Sequence, residues 1–413
     1  MGIKIDDVNN DYSDTTEVND INNDIPVINT APVAIEEKEE KLQTSEYMQN
    51  VLTDKQVKDA DELSATFDAF LSKEFDIKAD SSIKTTIPTG IDLLDVLSGG
   101  GFATSLVQLV GPPGCGKTAL ACRVLATGQK KFAGKFMSAF LDSEESMTVD
   151  RLIQLGVSQP RIQPHSDMTV EKTFKMIEAM CVFKENNPAI HDVPSAIVWD
   201  SIANTMTEKG SISDDINTVL GEKARVLSHY LPKYVRKLNK YKICLVGINQ
   251  LRDRIDMGQF SKAPDLKFLG DKNLPGGKSL LFNSVQLLLL RPGKAIGGDE
   301  GFGVNGFIVS CKFIKNKLFT PNIDFKLVFS FERGFSNFWT NFEMLKDTKR
   351  IRPGAWCTLL SYPSLKFRQK DSIKFYTEDP LFRAAFDADV KDALQTEYLD
   401  KYLTGNTSTT DVF

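Results

Sequence analysis

The run GPPGCGKT (Gly111, Pro112, Pro113, Gly114, Cys115, Gly116, Lys117, Thr118) fits the spacing GxxxxGK[ST]. Glycines so spaced let a backbone curl until successive N–H groups face a phosphate. Lys117 can then reach the β- and γ-phosphates of a nucleoside triphosphate, and the Thr118 hydroxyl can hold Mg2+. Ala119 follows in a helix whose N-terminus also favours an anion. Two carboxylate positions suit the same chemistry. Asp200 ends the apolar run AIVWD, where it can orient a magnesium-bound water or assist Thr118; otherwise it is only a helix N-cap. Asp142-Ser143-Glu144-Glu145 closes the run FMSAFLD. Glu144 or Glu145 can orient a water in line with the γ-phosphate as a general base, or serve only as a first-turn helix acid.

These residues need strand ends to hold them, and the chain supplies strands at regular intervals. SLVQLVG leads into the glycine loop and a helix from Lys117; FMSAFLD, SAIVWD and, after a long helix, KICLVGINQ follow. Short apolar strands alternating with helices predict an α/β fold, a twisted and mainly parallel sheet with helices on both faces. SVQLLLLR, FIVSCKFIK and DFKLVFSF lack long helices between them and suggest an antiparallel edge. The core is expected over 82–345. Residues 1–45 are polar and acidic and read as a disordered tail. Residues 46–81 hold a short amphipathic helix over 57–75, with Leu63, Phe67, Phe70 and Leu71 on one face. That face needs a partner, its own core or a neighbouring subunit. Residues 346–403 form a small C-terminal module with an amphipathic helix, and 404–413 a frayed tail.

The chain has 413 residues, room for one large domain and smaller end pieces. No apolar run approaches the roughly 18 residues of a membrane span, and the polar opening predicts no secretory signal. Six scattered cysteines without a CxxC pair, beside three histidines, argue against a zinc site or disulfide framework and for a reducing compartment. The net charge of −5 is uneven. Residues 1–60 hold 14 Asp/Glu against 5 Lys/Arg, a net of −9, which leaves +4 on the remaining 353. Binding to a polyanion would therefore need a local basic channel.

The glycine loop, LDSEES, VWDSIA, GINQLRDR, NLPGGKSLLFNS and FIKNK stand in one order. This set resembles the RecA recombinase family, including the UvsX-like recombinases of large phages, over roughly residues 83–335. The resemblance implies an ATP-dependent, Mg2+-requiring DNA recombinase with a RecA-like core. It would form a helical filament of its own copies on single-stranded DNA, hydrolyse ATP and exchange strands with homologous double-stranded DNA. Single-strand-binding and mediator proteins would be partners, and a phage-infected or prokaryotic cytoplasm the location. By resemblance, Glu144 rather than Glu145 is the water-activating glutamate, Asp200 the magnesium-strand acid and Gln250 the γ-phosphate sensor. Lys315 and Lys317 match a lysine pair that acts on ATP held by the adjacent subunit. Arg151 falls where the family often has an aromatic stacked on adenine, a departure that a guanidinium can partly fill.

Residues 251–278 make a long segment between strands, and such loops are usually functional. Arg252, Arg254, Lys262, Lys267, Lys272 and Lys278 are interleaved with Phe260 and Phe268, and four aspartates leave a net of +2. Cations can track phosphates while aromatic side chains separate or stack bases. Gly276 and Gly277 match the paired glycines that close the family's second DNA loop. A first DNA loop is expected near 208–217, although Asp214 and Asp215 make it acidic. Two other readings share the glycine loop: a hexameric RecA-fold helicase, and a non-catalytic recombination mediator. The first usually brings a further domain; the second would not need Lys117, Thr118, Glu144 and Asp200 together.

Overall fold

The structure is a computed structural model, which describes residues 85–158, 167–212, 221–253, 275–297 and 304–403, with isolated positions at 62, 65, 164–165, 272–273 and 302. The chain divides into two compact units, Met1–Ala79 and Asp80–Phe413, and every element below belongs to the second. The acidic tail and the side chains of the amphipathic face expected over 57–75 lie outside the described residues.

The elements are, in order, β1 (Thr86–Ile87), α1 (Asp92–Ser98), β2 (Phe102–Ala103), β3 (Leu106–Gly111), α2 (Lys117–Phe132), β4 (Ser138–Asp142), α3 (Val149–Gln154), β5 (Pro164–His165), α4 (Val170–Glu185), α5 (Pro188–His191) and β6 (Ser195–Asp200). Then come α6 (Glu222–Lys240), β7 (Ile243–Gln250), β8 (Arg252–Asp253), β9 (Lys272–Asn273), α7 (Lys278–Asn283), β10 (Gln286–Ile296), β11 (Gly306–Asn316), β12 (Asp324–Ser330), β13 (Gly334–Ser336) and α8 (Asn337–Asp347). The chain continues through β14 (Ile351–Arg352), β15 (Thr358–Leu359), α9 (Ser372–Glu378) and α10 (Pro380–Leu394).

One nine-stranded sheet has the order β13-β12-β11-β10-β3-β7-β6-β4-β5. From β10 to β5 every pairing is parallel; from β10 to β13 every pairing is antiparallel. The strands that lead into long helices pair parallel because a crossover helix must return the chain to the same end. The three late strands, with no long helix between them, turn back as hairpins. The sheet is thus α/β with an antiparallel extension, as the spacing of the apolar runs predicts.

Strands β3 and β6 are buried throughout, and β7 up to Gln250, which suits strands covered on both faces. Alternate residues feed two cores. Val107, Leu109, Val198 and Val246 pack with α1 and α2 on one face. Leu106, Ile197, Trp199 and Leu245 pack with α4 and α6 on the other. The first core continues into residues 351–394 through Ile351, Leu359, Phe367, Phe382 and Phe386. No helix among the described residues is long and apolar enough to cross a membrane.

Candidate nucleotide site and its link to the long loop

Parallel strands place all their C-terminal ends on one edge, so β3, β4, β6 and β7 deliver the chemistry-bearing residues together. β3 ends at Gly111, and the turn through Gly114 (φ +74) and Gly116 (φ +89) leads directly into α2. Gly116 is the N-cap of α2 in left-handed backbone, where a Cβ would also meet the Phe335 ring at 3.0 Å; glycine removes both penalties. The Lys117 ammonium donates to the carbonyls of Gly111 at 3.0 Å and Pro112 at 2.6 Å. The buried Cys115 thiol lies 3.7 Å away, and burial raises its pKa.

A cavity of about 370 Å³ opens beside this turn. Pro113, Gly114, Gly116, Lys117, Thr118, Ala119, Glu144, Arg151, Asp200 and Gln250 line it. The Thr118 hydroxyl donates to Asp200 Oδ2 at 2.6 Å. Burial pushes the Asp200 carboxyl up to about 6; the Thr118 hydrogen bond opposes this, and the charges of Glu144 and Asp142 add to it. A hydroxyl and a nearly buried carboxylate, with further acids close by, form a hard-oxygen donor set that fits Mg2+.

β4 places Asp142 at its end, where its oxygens accept from the N–H groups of Glu144 (3.1 Å) and Met147 (2.8 Å). This folded turn aims Glu144 into the cavity. Glu144 Oε1 accepts from Ser201 Oγ (2.6 Å), Asn204 Nδ2 (2.7 Å) and Gln250 Nε2 (3.1 Å). Glu145, with φ +50, does not line the cavity. The geometry therefore separates two neighbours that sequence alone leaves equivalent.

Gln250 ends β7, and both ends of the long segment attach next to it. The Leu251 N–H reaches the Gly111 carbonyl at 3.4 Å. Asn249 Nδ2 donates to the Pro275 carbonyl at 2.9 Å, and β8 pairs with β9 through Arg252↔Asn273 and Asp253↔Lys272. What the sequence presents as one open loop is therefore closed at its base by a two-stranded ladder. Gly276 (φ +92) and Gly277 (φ +78) lie where α6 meets α7; a Cβ on Gly276 would collide with Leu280 Cδ1. Lys278 is exposed at the first turn of α7. Arg254, Phe260, Lys262, Lys267 and Phe268 lie outside the described residues, as do the side chains of Arg252 and Lys272.

Lys315 lies near the end of β11 and donates to the Leu281 (2.9 Å) and Phe282 (2.8 Å) carbonyls at the end of α7. Burial, reinforced by Lys317, lowers its pKa. Lys317 is exposed. Neither lysine lines the cavity of its own subunit. Of the first-loop segment, Glu208 is held by Lys175 at 3.1 Å; residues 213–217 lie outside the described ones.

Arg151 donates to the Phe331 and Glu332 carbonyls at 3.1 and 3.3 Å. Its guanidinium thus fastens the turn after β12 beside the cavity. Phe307, Phe329 and Phe331 complete the wall, with Phe307 4.9 Å from Phe329 and 5.8 Å from Phe331. The sequence reading missed these rings, together with Ser201 and Asn204. Its one usable signal was the aromatic alternation FSF at the end of β12.

The profile of the RecA N-terminal domain matches residues 73–336. The chain belongs to the RecA family. Among its RecA relatives, the protein of Mycoplasma mobile is 29% identical over 255 residues, covering 61% of this chain and 70% of the relative. That of Thermotoga neapolitana is 26% identical over 318 residues, covering 74% and 83%. That of Thermus aquaticus is 30% identical over 253 residues, covering 60% and 67%. The RecA match includes β3, β4, β6 and β7, and so every strand end that lines the cavity.

Proposed function

We propose that this RecA-family recombinase is a DNA-dependent ATPase that assembles on single-stranded DNA and exchanges it with a homologous duplex. The observation that carries the reading is the 3.1 Å hydrogen bond between Gln250 and Glu144. It joins the residue suited to water activation to the residue from which the long basic segment departs.

In this reading the backbone of 111–118 and Lys117 hold the triphosphate of ATP. Lys117 exchanges its bonds to the Gly111 and Pro112 carbonyls for phosphate oxygens. Thr118 and Asp200 would hold Mg2+, which would supply charge neutralisation at the phosphates. Glu144 takes a proton from the attacking water, while Ser201 and Asn204 keep its carboxylate in place. The Arg151-fastened wall of Phe307, Phe329 and Phe331 encloses the base. Gln250, an amide that both donates and accepts, divides its hydrogen bonds between Glu144 and the phosphate.

Ordering of Gln250 by the phosphate would set the base of segment 251–278. There Arg252, Arg254, Lys262, Lys267, Lys272 and Lys278 hold a DNA backbone, while Phe260 and Phe268 separate bases. Lys315 and Lys317, outside their own cavity, would reach ATP in the adjacent subunit and tie nucleotide binding to filament growth. Residues 46–81 would supply a subunit contact. Single-strand-binding and mediator proteins are the expected partners, in a phage-infected or prokaryotic cell.

The test is ATP turnover by the full chain with and without single-stranded DNA, together with strand exchange on homologous DNA. Turnover that rises with single-stranded DNA and joint-molecule formation are the expected results. DNA-independent turnover by rings that unwind from a free end would replace the reading with a helicase.

A further inference from the structure

Two residues in the first turn of α6 fasten the turn that follows β6, and the nucleotide chemistry uses neither. Half-buried Lys223 donates from Nζ to the Ala203 carbonyl at 2.7 Å and to the Ile202 carbonyl at 3.3 Å. The neighbouring Glu222 is buried, and its Oε2 accepts from Thr207 Oγ1 at 2.8 Å.

Three observations give the Lys223 contact a part in the reaction. First, other bonds hold the turn on both sides of Asn204. The Ile202 N–H donates to the Ile248 carbonyl of β7 at 2.9 Å. Buried Trp199 donates from Nε1 to Thr205 Oγ1 at 2.7 Å, and that hydroxyl donates to the Ser201 carbonyl at 2.8 Å. Asn204 itself is exposed, and its N–H makes a long bond of 3.3 Å to the Ser201 carbonyl. Second, Ala203 and Asn204 share one planar peptide unit, so a grip on the Ala203 oxygen sets the Asn204 nitrogen and Cα. Lys223 applies that grip, and a bond from an ammonium is stronger than one from a neutral donor. Third, the Asn204 side chain ends on the reacting group, with Nδ2 2.7 Å from Glu144 Oε1. Hydrogen bonds weaken steeply with angle, so this amide keeps its bond only while the peptide that carries it stays in place.

We propose that Lys223 is a positioning residue for ATP hydrolysis. Through the Ala203–Asn204 peptide it holds the Asn204 amide on Glu144, and so keeps the carboxylate aimed at the attacking water. Lys223 does not line the cavity; it acts through Asn204. Gln250 reaches the same carboxylate oxygen from β7, where the phosphate can redirect it. The Lys223 contact belongs instead to the fixed frame, so its loss lowers basal and DNA-stimulated turnover by the same factor. This proposal rests on the reading of Glu144 as the base.

The test is steady-state ATP turnover by the full chain carrying K223M, K223R, N204A or K223M/N204A, with thermal midpoints measured alongside. K223M keeps the aliphatic stem and removes the donors. It is expected to lower kcat about tenfold, with KM for ATP and the thermal midpoint unchanged. Arginine can donate to the same carbonyls, so K223R should turn over within about twofold of the unaltered protein. The double variant should be no slower than N204A alone, because both changes break one chain of contacts. Losses that multiply in the double variant overturn the proposal, since Lys223 would then act elsewhere. So does a K223M protein with unchanged kcat, or one whose loss is confined to the DNA-stimulated rate. Should K223M lower the thermal midpoint, K223Q, which retains one amide donor, takes its place in the same cycle and the same results decide. Unimpaired turnover by Glu144→Gln would remove the base itself, and the positioning role with it, whatever K223M does.

Discussion

The cavity at the strand ends and the outer face of α6, where Arg225, Lys233, Arg236 and Lys240 are exposed, are both dense in charge, yet they hold it by opposite means. Around the cavity, buried Asp142 and Asp200 and the more open Glu144 are fixed by hydrogen bonds from N–H, hydroxyl and amide groups, and burial raises the Asp200 pKa. On α6 the charges stand in water, where solvent screens them. A buried charge needs specific partners and answers steeply to the loss of one; a solvated stripe answers in proportion to its total charge. Chemistry that needs one proton at one atom suits the first arrangement.

The sharpest way to break this comparison is Glu144→Gln. The amide keeps the shape and can still meet Ser201, Asn204 and Gln250, but it cannot take a proton. ATP turnover should fall about 10²- to 10⁴-fold, while nucleotide binding by filter or fluorescence assay persists. Turnover within a few-fold of the unaltered protein would remove Glu144 as the base. Glu145→Gln, outside the cavity, should leave turnover nearly unchanged.

Asp200 gives the next largest effect. Its carboxyl is pushed up to about 6 by burial, so the folded protein holds this proton at pH values where the unfolded chain has released it. Between the ordinary carboxylate range and about pH 6, this group therefore makes the fold less stable as pH rises. The total is on the order of 2–3 kcal/mol. Denaturant unfolding of the nucleotide-free protein should show this slope, and Asp200→Asn should flatten it. Support of Mg2+ requires the ionised form, so Mg2+ binding by the nucleotide-free protein should weaken as pH falls through about 6, and bound Mg2+ should itself move that midpoint lower. Equal pH slopes in the two proteins would show that Asp200 is not strained by its surroundings.

How much of this could be read without coordinates depends on how local each cause is. The 111–118 turn, the strand-end acids and the parallel core follow from contiguous residues, so spacing alone exposes them. The choice of Glu144 over Glu145 depends on Asp142 folding the turn back, and the Ser201 and Asn204 contacts come from the turn after another strand, β6. Phe307, Phe329 and Phe331 reach the cavity only because β11 and β12 add to the sheet antiparallel, a pairing no local pattern numbers. The β8–β9 ladder joins residues 19 or more apart and hides inside what reads as one loop. The α6 stripe was open to a helical-wheel count, but seven-residue polar spacing becomes meaningful only once burial shows which side faces water.

Gln250→Ala sharpens the link between the two kinds of charge. It leaves Glu144 with its Ser201 and Asn204 bonds and removes the one to β7. Basal turnover should change little, while stimulation by single-stranded DNA should drop about 5- to 150-fold, the usual range of a coupling between sites. The comparison of stimulated with basal rates checks it. Full stimulation in the variant would mean that the cavity and the segment 251–278 communicate by another route.

Lys184 tests the same contrast with a cation and gives the smallest effect. It is buried against the Val193 carbonyl at 2.5 Å and Ser195 Oγ at 3.1 Å, and burial lowers its pKa to about 8. The folded protein gives up this proton before the unfolded chain does, so between about pH 8 and the ordinary lysine range stability rises with pH. One proton corresponds to at most about 1.4 kcal/mol per pH unit, and the gain from pH 8 to pH 9 should be about 1 kcal/mol. Lys184→Met should lose that slope in urea unfolding, whereas Lys233→Met, on the solvated stripe, should keep it. If both variants kept the slope, burial would not be what separates the two cations.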